Sequence, residues 1–331
     1  MIKRIACVSL LACTFLVLIM SVCAVQVRAE FPDRPITMLV MFAPGGSADL
    51  TARSIAAAAE RILGKPIVVE NKGGGGGTVA LALVANANPD GYTLCGGVST
   101  GIVRGPQLQK VTYKPLKSFT PIIAYAAPYN GIVVKSDAPW KTFKELIEYA
   151  KKNPNKIKYG TGGIGTAMHH AMAFIDHQDG IKWIHVPYKG NADALTALMG
   201  GHVDVASVGP EWVPFVRAGT LRILAVTEDK RNPKFPDVPT LKELKYDFAN
   251  ETVFSIVAPA GLAPDVEKKL ETAFAKATES KEFQIAVERL DLVPILMVGK
   301  DFDTYLKATW STLEKNLKET GLIKEPATAP Y

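Results

Sequence analysis

The chain has 331 residues, of which 48% are hydrophobic and 21% are charged, and its formal net charge at pH 7 is +6. This length exceeds that of one typical domain and predicts two. No block of Lys or Arg residues and no interleaving of aromatic with basic residues occurs, so neither nucleic acid nor a membrane surface is indicated as the ligand.

The N-terminal segment, residues 1–29, has the features of a secretory signal peptide. Lys3 and Arg4 precede an apolar run over residues 5–25, and Ala29 ends a cleavage site with small or apolar residues at its key positions. Cleavage would remove three basic residues and no acid, which lowers the net charge from +6 to +3. A retained membrane anchor is the alternative, because the run approaches the length of a bilayer span.

Cysteine usage agrees with an exported protein that has no disulfide framework. Three of the four cysteines lie in the predicted signal peptide, which leaves Cys95 alone in the mature chain. A single thiol cannot form an internal disulfide, so stability must come from a hydrophobic core. Cys95 lies in a strand-like segment and is predicted to be a buried small residue rather than a nucleophile.

Short apolar segments alternate with amphipathic ones along most of the mature chain. The apolar segments predict strands at 36–42, 66–70, 92–95, 122–125, 132–135, 157–159, 183–187, 203–207 and 222–226. The amphipathic segments predict helices at 48–63, 81–87, 142–152, 166–178, 192–199, 211–217, 265–280 and 302–319. This alternation is typical of parallel sheets covered by helices on both faces, so the predicted fold class is α/β.

The first candidate binding loop joins a predicted strand to a predicted helix and reads Phe42-Ala43-Pro44-Gly45-Gly46-Ser47-Ala48-Asp49. Glycines there allow the backbone to approach a ligand closely, and the NH groups of the first helical turn have no intrahelical partner. Together with the positive end of the helix dipole, this favours an anion. Capping of the helix by Ser47 or Asp49, with Asp49 paired to Arg53, is the alternative.

A second strand-to-helix junction lies at Tyr159-Gly160-Thr161-Gly162-Gly163-Ile164-Gly165-Thr166. Its glycines match the dinucleotide fingerprint, which also requires an acidic residue at the end of the next strand. That strand ends Val186-Pro187-Tyr188-Lys189, without an acid. No nucleotide cofactor is therefore predicted, and the same geometry suits a carboxylate.

The segment Gly97-Val98-Ser99-Thr100-Gly101 matches the nucleophile-elbow pattern of hydrolases. Histidines follow it in the chain, so a secreted serine hydrolase that uses Ser99 is the best enzyme hypothesis. A metal site is not indicated, because the adjacent His169 and His170 cannot share one helix face. His170 could donate to a ligand carboxylate or cap its helix, and Trp212 could line a pocket or pack in the core.

Several motifs, in their order along the chain, resemble the substrate-binding proteins of tripartite tricarboxylate transporters, the Bug or TctC-like family. Besides the loop at 42–49, the matching segments are Phe31-Pro32-Asp33-Arg34-Pro35-Ile36-Thr37, Val69-Glu70-Asn71-Lys72, Pro89-Asp90-Gly91-Tyr92-Thr93-Leu94, Val186-Pro187-Tyr188-Lys189-Gly190, Gly200-Gly201-His202-Val203-Asp204, Leu224-Ala225-Val226-Thr227, Pro236-Asp237-Val238-Pro239-Thr240 and Ala258-Pro259-Ala260-Gly261. They cover nearly the whole mature chain.

The resemblance implies a periplasmic binding protein of type II, a Venus-flytrap in which two α/β domains are joined by two crossing strands. Domain I would comprise residues 30–126 and 228–331, and domain II residues 127–227. The family's function would be non-catalytic capture of a small organic carboxylate, a di- or tricarboxylate or an aromatic one, for integral-membrane permease subunits. A monomer in the periplasm without cofactor or metal is expected, with a ligand-binding sensor component as an alternative.

The expected ligand-binding residues combine the two loops with their neighbours: Phe42, Ala43, Gly45, Gly46, Ser47, Asp49, Ser99, Thr100, Thr161, Gly162, Gly165, Thr166, His170, Asp204 and Pro210. Asp49 and Asp204 are expected to orient loops or hold water, because a carboxylate facing another would repel it. The chain departs from the family at Val253-Phe254-Ser255 and in the loop of residues 99–109. Whether Arg104, Glu211 and Trp212 line the cleft stays open.

Overall fold

The computed structural model describes residues 30–248, 250, 252–319 and 321–331. The predicted signal peptide lies outside the described residues. Contacts divide the chain into two units, residues 1–33 and 34–331, and every element below belongs to the second. Within the part of the chain that the structure describes, no helix combines the length and apolar character needed to span a bilayer.

The strands, in chain order, are β1 (Ile36–Val40), β2 (Ile67–Asn71), β3 (Thr93–Val98), β4 (Phe119–Ala127), β5 (Gly131–Lys135), β6 (Lys158–Thr161), β7 (Ile184–Pro187), β8 (Val205–Val208), β9 (Leu221–Val226), β10 (Phe254–Pro259) and β11 (Val293–Val298). The helices are α1 (Ser47–Leu63), α2 (Thr78–Ala85), α3 (Thr100–Val103), α4 (Gly105–Leu108), α5 (Phe143–Lys152), α6 (Ala167–Asp179), α7 (Asn191–Met199), α8 (Val213–Arg217), α9 (Pro264–Ala277), α10 (Lys281–Arg289) and α11 (Lys300–Glu319). Short 3-10 turns occur at Gly75–Gly77 and Pro210–Trp212.

The strands form two sheets. The first has the order β11-β4-β10-β3-β1-β2 and the second the order β7-β6-β8-β5-β9. The chain passes from the first to the second between β4 and β5, and returns between β9 and β10. We call the first sheet, with the helices packed on it, the first lobe, and the second sheet, with its helices, the second lobe.

Each lobe combines parallel pairs with antiparallel ones. In the first, β1 pairs in parallel with β2 and β3, whereas β10 is antiparallel to β3 and β4. In the second, β6 is parallel to β7 and β8, whereas β5 is antiparallel to β8 and β9. The predicted α/β class is confirmed. Both sheets are mixed rather than purely parallel, because β10 runs antiparallel to both of its neighbours in the first sheet and β5 does so in the second.

The second lobe illustrates how the sequence pattern builds a core on both faces of a sheet. Ile132 and Val134 of β5 belong to a cluster that includes residues of α5 and α6, whereas Val133 belongs to a cluster with residues of α7 and α8. Successive residues of a strand point to opposite faces, so helices cover both sides of the sheet. In the first lobe, Cys95 of β3 is buried, and burial raises the pKa of its thiol above the usual range, as expected for an unreactive core residue.

The structure corrects the sequence analysis in three places between residue 210 and the C-terminus. The strands β10 and β11 were not predicted, and they complete the first sheet. The predicted helix at 211–217 is divided into the 3-10 turn at Pro210–Trp212 and the short helix α8. Helix α10 is an additional element between α9 and β11.

Candidate functional site

A cavity lies between the two lobes and is lined by the ends of strands and the starts of helices from both. Its lining from the first lobe consists of Phe42, Gly46, Ser47, Ala48, Val98, Thr100, Thr252 and Phe254. Its lining from the second lobe consists of Thr166, Ala167, Met168, Asn191, Gly209, Pro210 and Glu211, with Pro128 and Asn130 from the connecting segment. Interlobe cavities of this kind are preferred sites for small ligands.

The first wall of the cavity is the N-terminus of α1. Its N-cap is Gly46, in extended conformation and without a side-chain cap, so neither alternative cap foreseen from the sequence is formed there. Asp49 is buried and holds the loop instead. Its carboxylate accepts hydrogen bonds from the Gly45 backbone NH (2.9 Å), from Arg53 Nε (2.9 Å) and from Asn71 Nδ2 (2.8 Å).

A carboxylate of the chain itself occupies the end of α1. Glu211 reaches across from the second lobe, and its Oε1 accepts hydrogen bonds from both the backbone NH and the Oγ of Ser47, each 2.6 Å long. Its Oε2 accepts a third from Asn191 Nδ2 at 3.2 Å. Because Asn191 is the first residue of α7, Glu211 lies between the positive ends of two helices, which favour an anion. The sequence left the position of Glu211 open.

The opposite wall is the N-terminus of α6. Thr166 is the N-cap: its Oγ1 accepts from the His169 backbone NH (3.2 Å) and donates to the Gly163 carbonyl (2.8 Å). The backbone NH groups of Ala167 and Met168, in the first turn of α6, have no intrahelical acceptor, and both residues line the cavity. This helix end carries no acidic side chain in its first turn. It is therefore a second place where an anion could accept backbone hydrogen bonds.

Asn130 lies on the segment that connects the lobes and contributes an unsatisfied donor. Its side chain is 1% exposed and lines the cavity, and within the described residues its Nδ2 has no hydrogen-bond partner. A buried amide donor without an acceptor costs on the order of 1–3 kcal/mol. A ligand oxygen in the cavity would remove that cost.

The structure brings some of the predicted site residues to the cavity and places others behind it. Those that line it are Phe42, Gly46, Ser47, Thr100, Thr166 and Pro210. Those outside its lining are Ala43, Gly45, Asp49, Ser99, Thr161, Gly162, Gly165, His170 and Asp204. The additional polar residues Asn130, Asn191 and Thr252 have no sequence motif that could have found them.

Asp204, expected to orient a loop or hold water, lies outside the lining of this cavity. It is exposed and pairs with Lys158, whose backbone NH donates to its carboxylate (2.8 Å). It precedes β8, whereas the cavity lies beyond the other end of that strand, at Gly209. The short strand therefore separates Asp204 from the ligand space.

His170 and Arg104 form a buried pair behind the cavity. Arg104 Nη1 lies 2.8 Å from His170 Nδ1, which must accept the bond because the guanidinium only donates. Burial, and then the neighbouring charge of Arg104, lowers the pKa of His170 well below its usual value, so the imidazole is neutral. The guanidinium also lies over Phe248, 5.5 Å from the ring centroid. The pair joins the two lobes, because Arg104 follows α3 and His170 belongs to α6.

Two further candidates from the sequence are structural. Ser99 is fully buried, and its Oγ accepts a hydrogen bond from the Val253 backbone NH (3.2 Å), which ties the loop after β3 to the start of β10. The Thr161 side chain is also buried, and its Oγ1 lies 2.7 Å from His185 Nε2. Both hydroxyls support loops that carry the site rather than face the cavity.

The two connecting segments contact each other beside Asn130. The Thr227 backbone NH donates to the Asn130 carbonyl (3.1 Å), and Glu228 accepts from the Asn130 backbone NH (2.8 Å) and from Asn250 Nδ2 (2.7 Å). The other oxygen of Glu228, Oε2, is buried and has no partner within the described residues. Burial raises the pKa of Glu228 from 4.5 to about 7, against the opposing effect of its hydrogen bonds.

This carboxyl predicts a pH dependence of stability. Its folded-state pKa lies above its unfolded value, so the native state retains a proton between about pH 4.5 and 7. Its contribution to stability is present below that window and is lost as pH rises through it, on the order of 1–3 kcal/mol. Glu228→Gln is expected to remove this part of the pH dependence and to raise the melting temperature at pH 8, measured by thermal denaturation from pH 4 to 8.

The matched control is Glu279→Gln, at an exposed glutamate, which should leave the pH profile unchanged. A Glu228→Gln profile parallel to that of the wild type would contradict the assignment.

The comparisons with known proteins agree with this geometry. Residues 51–322 match the model of the tripartite tricarboxylate transporter family receptor, TctC. A UPF0065 protein in the gbd 5' region of Cupriavidus necator is 37% identical over 300 residues, which cover 90% of this chain and 91% of that protein.

Two solved structures share the fold over nearly their whole length. The periplasmic binding protein BugD has a TM-score of 0.83 at 33% identity, covering 88% of this chain and 99% of its own. R. palustris Rpa4515, solved with adipate, has a TM-score of 0.81 at 29% identity, covering 88% and 99%. The predicted two-domain, type II binding-protein fold and the resemblance are thus confirmed. The chain belongs to the tripartite tricarboxylate transporter receptor family, whose members are extracytoplasmic solute-binding proteins.

Proposed function

We propose that this chain captures a small organic carboxylate in the cavity between its domains and delivers it to the integral-membrane permease subunits of a tripartite transporter. Domain I would comprise residues 30–126 and 228–331, and domain II residues 127–227, after removal of the signal peptide at 1–29. The protein would act as a monomer in the periplasm and without a cofactor.

The observation that carries the proposal is the combination of a free helix end with an unsatisfied buried donor. Ala167 and Met168, the first two residues of α6, line the cavity, and Asn130 Nδ2 is buried there without an acceptor within the described residues. Thr100 and Thr166 supply hydroxyl groups on the same lining. A hydrogen bond to a charged group contributes about 1.5–3 kcal/mol, so a few suffice for the about 8 kcal/mol of micromolar binding.

The neighbouring structure of Rpa4515 with adipate supports the carboxylate class. The family description, a receptor of a tripartite transporter, supports the permease partner. The ligand residues that we propose are therefore Phe42, Gly46, Ser47, Thr100, Asn130, Thr166 and Pro210, with Asp49 and Thr161 holding the two loops in place.

A thermal-shift screen of residues 30–331 tests the proposal. Monocarboxylates, amino-carboxylates, dicarboxylates and neutral sugars are compared at equal concentration. A carboxylate at 100 times its Kd is expected to add about 2.7 kcal/mol of stability, which corresponds to a rise of a few degrees in Tm. A shift with a sugar and with no carboxylate would overturn the proposal.

Asn130→Asp supplies the matched variant. It keeps the shape of the side chain but places a carboxylate where the ligand's carboxylate is expected, so binding should weaken at least tenfold. Asn155→Asp makes the same chemical change at an exposed position, and its affinity for the carboxylate should equal that of the wild type.

A further inference from the structure

Glu211 brings an acidic side chain into the cavity. The Asn130 amide offers a donor there, and the first two residues of α6, Ala167 and Met168, are also part of the lining. Glu211 presents a carboxylate that is 7% exposed and lines the cavity. Among the lining residues that the structure describes, none is Lys, Arg or His, and Glu211 is the single acidic side chain. The charge of Glu211 is therefore the dominant formal charge inside the ligand space.

The acceptor capacity of Glu211 is not used up. The described donors to Glu211 are the backbone NH and hydroxyl of Ser47 and the amide of Asn191, and none of them is a cation. An ionised carboxylate can accept about four hydrogen bonds. Beside it, the Oδ1 of Asn191 is buried and has no donor within the described residues. Asn191 Oδ1 therefore lacks a donor within the described residues, and Glu211 Oε2, which accepts only from Asn191 Nδ2 there, can accept a further hydrogen bond.

The surrounding backbone keeps Glu211 in this position. A methyl group on Gly46 would lie 3.3 Å from Oε1, and one on Gly209 would lie 2.7 Å from Oε2. The glycines thus allow the two strand-to-helix junctions to close around the carboxylate. To bind at the N-terminus of α1, a ligand anion would have to displace the Glu211 side chain, which three hydrogen bonds hold in place.

We infer that Glu211 makes this cavity select a carboxylate that carries an ammonium or amide N–H group at its other end, in preference to a dicarboxylate. The inference rests on the proposed function, because it assigns the ligand's carboxylate to the N-terminus of α6. The N–H group donates to Glu211 Oε2 and Asn191 Oδ1. A second carboxylate in the same place meets Glu211 at short range in a weakly screened site and is repelled.

Isothermal titration calorimetry of residues 30–331 tests this selectivity. The probes are ω-amino carboxylates of four to six carbons, the dicarboxylates with the same numbers of carbons, and the corresponding alkyl monocarboxylates. For the wild type, the best amino-carboxylate is expected to bind at least tenfold more tightly than the best dicarboxylate, with the alkyl acids in between. This comparison needs no variant and so does not depend on a substitution being tolerated.

Glu211→Gln should change the ratio between the affinity for amino-carboxylates and the affinity for dicarboxylates, rather than lower affinity alone. It removes the charge, so affinity for dicarboxylates should rise and that for amino-carboxylates should fall, each about tenfold. Glu211→Asp keeps the charge and should keep the wild-type order of ligands. A purely structural role for Glu211 would weaken all three classes alike.

Two results would overturn the inference, and they differ in meaning. If dicarboxylates bind the wild type as tightly as amino-carboxylates and Glu211→Gln leaves the ratio unchanged, Glu211 does not select the ligand, and the proposed function stands. If no carboxylate of any class binds the wild type or either variant, the proposed function fails and the inference fails with it.

Discussion

Gly76→Ala is expected to lower carboxylate affinity at least a hundredfold while leaving the fold intact. Gly76 lies in the turn Gly75–Gly77 of the first lobe, and a methyl group added there would lie 2.0 Å from the carbonyl oxygen of Ile164 in the second lobe. Carbon and oxygen atoms cannot approach so closely, so the two lobes would have to move apart. The donors at α6 would then no longer close on the ligand.

The measurements are calorimetric affinity for the best carboxylate and the radius of gyration with that ligand present. Gly64→Ala is the matched control: φ is 71° at Gly64 and 66° at Gly76, so both substitutions place alanine in the left-handed region at a cost of about 1–3 kcal/mol. Among the described residues other than its immediate neighbours in the chain, none comes within 4 Å of a methyl group on Gly64. Equal affinities of the two variants would show that the contact between Gly76 and Ile164 is not needed for binding.

The contact at Gly76 is one of several in which backbone meets backbone across the lobes. A methyl group on Gly73 would lie 2.9 Å from the Lys189 carbonyl oxygen, and one on Gly165 would lie 2.9 Å from the Cα of Gly105. The Ala43 backbone NH donates to the Lys189 carbonyl at 3.2 Å. Glycines at these positions let the two lobes approach to backbone contact.

This role of the glycine run at 73–77 could not be predicted from the sequence. Glycine-rich composition indicates freedom of the backbone, but it does not say which distant segment the backbone approaches. The two candidate loops were easier, because each follows an apolar strand and opens a helix. The segments 42–49 and 161–166 indeed lie at the ends of β1 and β6.

Strands and helices were predictable where apolar residues recur with a regular pattern in the sequence, and they were missed where no such pattern occurs. The strands from β1 to β9 were predicted because they are short apolar segments separated by amphipathic helices. Strand β11 lies at the edge of its sheet, and Val293 and Leu296 on it are exposed, so its residues do not alternate between buried and exposed. Strand β10 is buried at all six positions and is followed by Pro and Gly, which made it look like a loop.

The site was predictable only where one segment carries both the geometry and the chemistry. Asn130, Asn191 and Glu211 come from three separate segments and meet only after the lobes have packed. The turn Pro210–Trp212 shows the difficulty most clearly, because Glu211 lines the cavity while the next residue points into the core. The helix predicted at 211–217 does not place two consecutive residues in opposite directions, and the 3-10 turn at Pro210–Trp212 was not predicted.

Trp212→Ala is expected to destabilise the protein by about 3–5 kcal/mol, the range for truncating a large buried aromatic residue. Trp212 is 0% exposed and packs edge-on against Phe235, with 4.9 Å between the ring centroids. Its indole NH donates to the Tyr129 carbonyl (3.0 Å), on the segment that connects the lobes. Truncation therefore leaves both a void and an unsatisfied carbonyl, and the loss is measured by urea and thermal denaturation.

Trp212→Phe separates packing from positioning. The phenyl ring fills most of the void but cannot donate to Tyr129, so we expect a smaller loss, about 1–3 kcal/mol. Because Trp212 anchors the turn that carries Glu211, the phenylalanine variant should keep the wild-type order of carboxylate ligands, whereas the alanine variant should bind every class more weakly. Stability within 1 kcal/mol of the wild type for Trp212→Ala would contradict this anchoring. Unchanged ligand affinities in that variant would mean that Ser47 and Asn191 are sufficient to hold Glu211 in place.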